Sequence, residues 1–135
     1  MNRDDSDMKS DIFALNKKLK ILIVEDDENS EMLLTLILQK DAKELLYAQT
    51  GLDAIGMCRR HPDIDLILMD IRMTGMSGIE ATKVIRAFNK EVIIIAQTAF
   101  AYANDKSMAL EAGCNDYIEK PLNRQSLIEM INKYF

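Results

Sequence analysis

The chain predicts an α/β fold: five βα units forming one doubly wound, five-stranded parallel sheet with helices on both faces. Three observations carry this. Short apolar runs alternate five times with amphipathic stretches, the pattern that a parallel sheet with helical crossovers requires. Several of the runs are apolar at every position, as strands buried on both faces are. The chemically unusual side chains fall just after the runs, where an open α/β sheet places its ligand crevice.

Residues 1–19 read as an N-terminal tail or linker, with mixed charges and Ile12-Phe13-Ala14-Leu15 as the only apolar patch. The folded domain spans 20–135. Its strands are Ile21 to Val24, Leu45 to Ala48, Leu66 to Met69, Val92 to Ala96 and Tyr117-Ile118. Between and after them, Leu33, Leu36 and Ile37 form one helical stripe and Thr50 to Arg60 a weaker one. Ala81, Val84, Ile85 and Phe88 follow i, i+3, i+4, i+7 spacing, and Leu127, Met130, Ile131 and Tyr134 repeat it. An alanine-rich stretch from Ala101 to Ala112 closes at Gly113, a residue suited to a helix C-cap.

Composition narrows the function classes. At 135 residues, 48% hydrophobic and 29% charged, the chain suits one globular core. No stretch approaches the ~18 apolar residues of a membrane span. Charges from Arg3 to Asp11 leave no room for a signal peptide, so the cytoplasm is the expected compartment. Cys58 and Cys114 lack CxxC spacing and read as buried reduced thiols. With 17 Lys+Arg against 22 Asp+Glu, the net charge of −5 argues against direct nucleic-acid binding.

Glu25-Asp26-Asp27 follows strand 1, Asp70 closes strand 3, Thr98 closes strand 4 and Lys120 follows strand 5. In a doubly wound sheet these positions share one edge. Crowded carboxylates are costly without a cation, and a hard, all-oxygen site with few ligands suits Mg²⁺. An ammonium and a hydroxyl beside that ion would complete a phosphoryl pocket. Taken singly, each residue has a plainer role: Asp26 or Asp27 as a helix cap, Asp70 as a turn residue before Gly75 and Gly78, Thr98 as a β-branched strand end, Lys120 as a loop lysine. Their joint placement on one edge favours the functional reading.

Over residues 20–135 the motifs resemble the receiver domain of bacterial two-component response regulators. The resemblance rests on Lys20-Ile-Leu-Ile-Val-Glu-Asp-Asp27, Leu66-Ile-Leu-Met-Asp-Ile-Arg-Met73 with Gly75-Met-Ser-Gly78, Ala96-Gln-Thr-Ala99 and Ala112-Gly-Cys-Asn-Asp-Tyr-Ile-Glu-Lys-Pro121. Ile79-Glu-Ala-Thr-Lys-Val-Ile-Arg86 is similar to receivers of hybrid sensor histidine kinases. The resemblance implies the flavodoxin-like strand order 2-1-3-4-5 and a phosphorelay role. Asp70 would be the phospho-acceptor. Mg²⁺ (or Mn²⁺) would be held by Asp26, Asp70 and the backbone carbonyl of Arg72, with Glu25 acting through water. Lys120, Thr98 and the backbone N–H of Ala99 would bind the phosphoryl group. Thr98 and Tyr117 would form the switch to a surface of helix 4, strand 5 and helix 5, and Lys120-Pro121 would be a cis peptide bond. The implied partner is a sensor histidine kinase or phosphotransfer protein, with a homodimer on phosphorylation as an expected outcome. The chain would be a phospho-acceptor regulator and not an enzyme in its own right. A carboxyl with an ordinary pKa of ~3.9 is ionised at neutral pH, so Asp70 is expected to need no general base.

Two departures stand out. Thr74 occupies a position where the family usually has proline, which leaves the loop after Asp70 less constrained. Arg72 and Phe100 flank the approach of water to a phosphorylated Asp70, and neither can orient it, so loss of the phosphoryl group is expected to be slow. Among rival functions, an Mg²⁺-dependent phosphatase with an aspartyl nucleophile would want a second Asp where Arg72 stands. A flavin-binding module would want a hydroxyl-rich phosphate loop in place of Glu25-Asp26-Asp27-Glu28. A phosphorylation-independent receiver-like adaptor would lack the acceptor or the lysine, and both are present.

Overall fold

The computed structural model describes residues 13–99 and 104–135. In order these form β1 (Lys20–Val24), α1 (Glu28–Leu38), β2 (Glu44–Ala48), α2 (Gly51–Arg60), β3 (Leu66–Asp70), α3 (Gly78–Phe88), β4 (Ile93–Thr98), α4 (Asp105–Ala112), β5 (Asp116–Glu119) and α5 (Arg124–Asn132). The strands pair in parallel in the order β2-β1-β3-β4-β5. This is the doubly wound sheet expected, with the switch between β1 and β3. Phe100 and the Ala101 to Ala103 start of the expected fourth helix lie outside the described residues.

The two-residue period of a strand divides the core between the two faces of the sheet. Leu22, Val24, Ile67, Met69, Ile94 and Ala96 face one side, where Ala54 and Cys58 of α2, Ala81 and Ile85 of α3 and Ala109 of α4 cover them. Ile21, Ile23, Leu66, Leu68 and Ile95 face the other, covered by Leu34, Ile37 and Leu38 of α1 and Leu127, Ile128 and Ile131 of α5. β3 lies at the centre and is buried at all five positions. Each fully buried Leu or Ile there is worth about 1.5–3 kcal/mol.

Helix ends follow local chemistry. Asp27, Thr50, Ser77 and Asn123 each cap a helix by accepting from the backbone N–H three residues on. Gly113 ends α4 in the left-handed region at φ 119°, and a Cβ there would also meet Arg86 Cγ at 2.6 Å. The α1 stripe differs from expectation. Leu34, Ile37 and Leu38 are buried, whereas Leu33 is 42% and Leu36 61% exposed. Nearly every position from Met32 to Leu38 is apolar, so periodicity alone does not select the face. Val84 and Phe88 likewise lie at the margin of the α3 stripe, with the Arg59 guanidinium 4.2 Å above the Phe88 ring.

Part of the segment read as a tail is attached to the domain. Asn16 N–H donates to Asn132 Oδ1 at 2.9 Å, Asn132 Nδ2 donates to Ala14 O at 3.0 Å, and Leu19 is buried beside α5. Cys58 and Cys114 are both free and buried, and burial pushes the Cys58 thiol up to about 11. Among the described residues no helix is long and apolar enough to cross a membrane.

Candidate phosphoryl and metal site

Strand register assembles the site. Val24 aligns with Met69, Asp70 with Gln97 and Thr98 with Glu119, so Glu25, Asp70, Thr98 and Lys120 reach one sheet edge together. Backbone bonds hold the exits: Glu25 N–H donates to Ala48 O at 3.0 Å, Ile71 N–H to Gln97 O at 3.1 Å and Lys120 N–H to Thr98 O at 2.7 Å. A carboxylate oxygen from each of Glu25, Asp26 and Asp70 falls within 4.8 Å of the others. This hard oxygen set fits a divalent cation that retains part of its water shell.

Charge balance at this edge is tight. Glu25 and Asp70 are 1% and 4% exposed, and the Lys120 ammonium lies 2.7 Å from Glu25 Oε2 and 3.8 Å from Asp70 Oδ2. Burial is the main influence on Asp70, the Glu25 carboxylate adds to it and Lys120 opposes both, leaving the Asp70 carboxyl pushed up to about 7. The ordinary carboxyl pKa assumed from sequence therefore does not describe the metal-free site. One lysine does not offset burial plus a neighbouring carboxylate, so the site favours the protonated form of Asp70 more than an exposed carboxyl does.

The three acids of the first loop divide their tasks. Asp27 caps α1 through Ser30 N–H at 2.9 Å, and that bond lowers its pKa. Glu25 Oε1 accepts from Asp27 N–H at 3.2 Å, which orients it inward. Asp26 is exposed, and its Oδ2 accepts the backbone N–H of Thr74 at 3.2 Å. A proline at 74 has no N–H to give, so Thr74 makes a tie to the acidic edge that a proline there could not make. Gly78 holds the loop's far end: a Cβ there would lie 2.3 Å from Asp70 O and 2.8 Å from Ile71 Cα.

The remaining site residues lie around this centre. Thr98 is fully buried, Ala99 is exposed and the Lys120-Pro121 bond is cis. Arg72 N–H donates to Asp70 Oδ1 at 3.1 Å, while the Arg72 guanidinium donates to both carboxylate oxygens of Asp105 at 2.8 and 2.9 Å. Asp105, the first residue of α4, escapes sequence reasoning because no motif marks an ion pair across 33 residues. The Tyr117 hydroxyl is buried and has no hydrogen-bond partner among the described residues, and neither amide atom of Gln97 has one. Beside Lys120, a pocket of about 370 Å³ runs between α1 and the β5–α5 loop, lined by Ser30, Leu33, Leu34, Gln97, Pro121 and Leu122.

Known proteins resemble this chain in sequence and fold. The chain is 35% identical over 116 residues to the polar-differentiation response regulator DivK of Brucella ovis, covering 84% of this chain and 94% of that protein. It superposes with a TM-score of 0.80 and 35% identity on a chain from the co-crystal structure of the Saccharomyces cerevisiae histidine phosphotransfer signaling protein Ypd1 and the receiver domain of its downstream response regulator Ssk1, covering 87% of this chain and 89% of that one. A chain of the CheX-CheY-BeF3-Mg complex from Borrelia burgdorferi gives a TM-score of 0.82 at 27% identity, with 87% and 89% covered. Residues 21–132 match the family described as the response regulator receiver domain, and by that match and these likenesses the chain belongs to the receiver domains of two-component signalling, whose role is that of a phospho-accepting module.

Proposed function

We propose that Asp70 accepts a phosphoryl group from the phosphohistidine of a sensor kinase or phosphotransfer protein. In that step the P–N bond to imidazole breaks and a P–O bond to the Asp70 carboxylate forms, while the departing imidazole takes up a proton. The observation that carries this reading is the convergence of Glu25, Asp26 and Asp70 within 4.8 Å, with Lys120 3.8 Å from Asp70. Mg²⁺ or Mn²⁺ would be held by Asp26, Asp70 and the Arg72 carbonyl, with Glu25 acting through water, and would supply positive charge against the carboxylates and the phosphoryl oxygens.

The chain's own groups do the rest. Lys120 is 17% exposed and can leave Glu25 for a phosphoryl oxygen by a small movement. Thr98 Oγ1 and Ala99 N–H supply neutral donors from the neighbouring strand end, and Tyr117 lies on the next strand, paired with Ala96. A shift of Thr98 toward the phosphoryl group would be followed by Tyr117 and so reach the surface of α4, β5 and α5. A donor protein must cover the open side of the crevice. Met32, Leu33 and Leu36 of α1, exposed by 64%, 42% and 61%, offer it an apolar landing beside the pocket at Lys120.

The test is intact mass after incubation with acetyl phosphate and Mg²⁺. Wild type gains one phosphoryl group, and Asp70→Asn gains none. A gain that persists in Asp70→Asn overturns the assignment.

A further inference from the structure

Two anomalies lie near the start of α4. The Arg72 guanidinium, half-exposed, donates from one nitrogen, Nη2, to both carboxylate oxygens of Asp105, whose side chain is only 7% exposed. The Tyr117 hydroxyl is buried with no partner among the described residues. Burial raises the Tyr117 pKa, the Asp105 and Glu119 carboxylates raise it further and Arg72 lowers it, so the tyrosine senses both members of the ion pair. A buried hydroxyl with no partner is costly, and a carboxylate already occupied by a guanidinium gives it little relief. Meanwhile the Arg72 backbone N–H already touches Asp70 Oδ1 at 3.1 Å. The side chain is thus rooted at the acceptor and directed away from it.

Resting on the reading that Asp70 is phosphorylated, we propose that Arg72 is a further phosphoryl-binding residue, held in reserve by Asp105. When Asp70 carries the phosphoryl group, the guanidinium transfers from Asp105 to the phosphoryl oxygens and the vacated Asp105 carboxylate accepts the Tyr117 O–H. The exchange is driven by charge. A phosphoryl group brings about −1.5 to −2 where the carboxylate brings −1, and it offers oxygens suited to a bidentate guanidinium. The partner left behind is not stranded, because a buried donor is waiting for it. Asp105 begins α4, so the swap releases the start of α4 from the acceptor loop and ties it to β5. Ligand charge is thereby converted into a change of partner at the helix.

Beryllofluoride with Mg²⁺, a noncovalent phosphoryl mimic, tests this on the full chain. Titrated by NMR, wild type should show the Arg72 Nε–Hε resonance moving as the mimic binds. Arg72→Ala should bind it ~10-fold more weakly and Arg72→Lys less weakly than Arg72→Ala. Asp105→Asn, which removes the carboxylate charge holding the guanidinium, should bind it ~5-fold more tightly. The double variant Arg72→Ala/Asp105→Asn should match Arg72→Ala alone, because Asp105 acts through Arg72. An unmoved Arg72 resonance in wild type with the mimic bound overturns the inference whether or not any variant folds. So does an Asp105→Asn gain that survives removal of Arg72. In either case Asp70 labelling by acetyl phosphate would leave the phospho-acceptor reading standing, whereas absence of both labelling and mimic binding in wild type overturns the two together.

Discussion

Lys120 Nζ is 1.1 Å nearer to Glu25 than to Asp70, at 2.7 Å against 3.8 Å, so the lysine neutralises the Glu25 carboxylate first and that of Asp70 second. Without it, two nearly buried carboxyls would face each other with no cation between them. Lys120→Met is expected to lose about 2 kcal/mol of stability at pH 8 without divalent metal, below the 3–5 kcal/mol of a fully buried pair because the ammonium keeps some contact with water. The loss should shrink at pH 5, where Asp70 takes a proton, and shrink on adding Mg²⁺. Urea unfolding at both pH values, with and without metal, measures this.

Asp70 gives stability a pH dependence of definite sign. The unfolded chain releases this proton near the ordinary value of 3.8, and the folded chain holds it up to about 7. Between those values the folded state binds more protons, so its stability falls as pH rises from about 4 to about 7. Asp70→Asn carries no such charge and should be more stable than wild type by roughly 2 kcal/mol at pH 8 without metal, with little advantage at pH 4. Thermal melts across that range would show the two curves diverging with rising pH.

Gly78→Ala should damage the site more than the fold. A methyl group 2.3 Å from Asp70 O cannot be accommodated by rotating a side chain, because the obstacle is backbone. The loop must move, at a cost of about 1–3 kcal/mol. Acetyl phosphate labelling of Asp70 is expected to slow by ~10-fold or more, about 1.4 kcal/mol of barrier, in a variant that still melts cooperatively.

Leu33→Asp with Leu36→Asp tests the α1 surface. Both side chains are exposed, so stability should change by no more than about 0.5 kcal/mol for each. Labelling by acetyl phosphate should be unchanged. Transfer from a histidine phosphotransfer protein that labels wild type should slow by ~10-fold, a contrast read by following loss of label from the donor.

The fold was legible because strands apolar on both faces and stripes of helical period leave few topologies open. Site residues at the strand ends could be read for the same reason, since sheet register fixes which exits meet. Four things could not be read. The face of α1 was ambiguous because Leu33, Leu34, Leu36, Ile37 and Leu38 offer more apolar positions than one stripe needs. The Arg72 to Asp105 pair and the Thr74 N–H to Asp26 contact depend on loop paths that no periodicity encodes. The protonation of Asp70 depends on burial at the bottom of a crevice, which a list of residue types does not contain.

The outer strands also limit how copies of this chain can associate. β5 is four residues long, beginning with Asp116 and ending with Glu119, and it forms one margin of the sheet. A second copy related by a two-fold axis and laid antiparallel along that margin in full register would set each Asp116 opposite a Glu119. Like charges directly opposite one another disfavour such pairing, and short charged margins are a common guard against runaway sheet growth. The β5 margin is therefore a poor site for a second copy to extend the sheet.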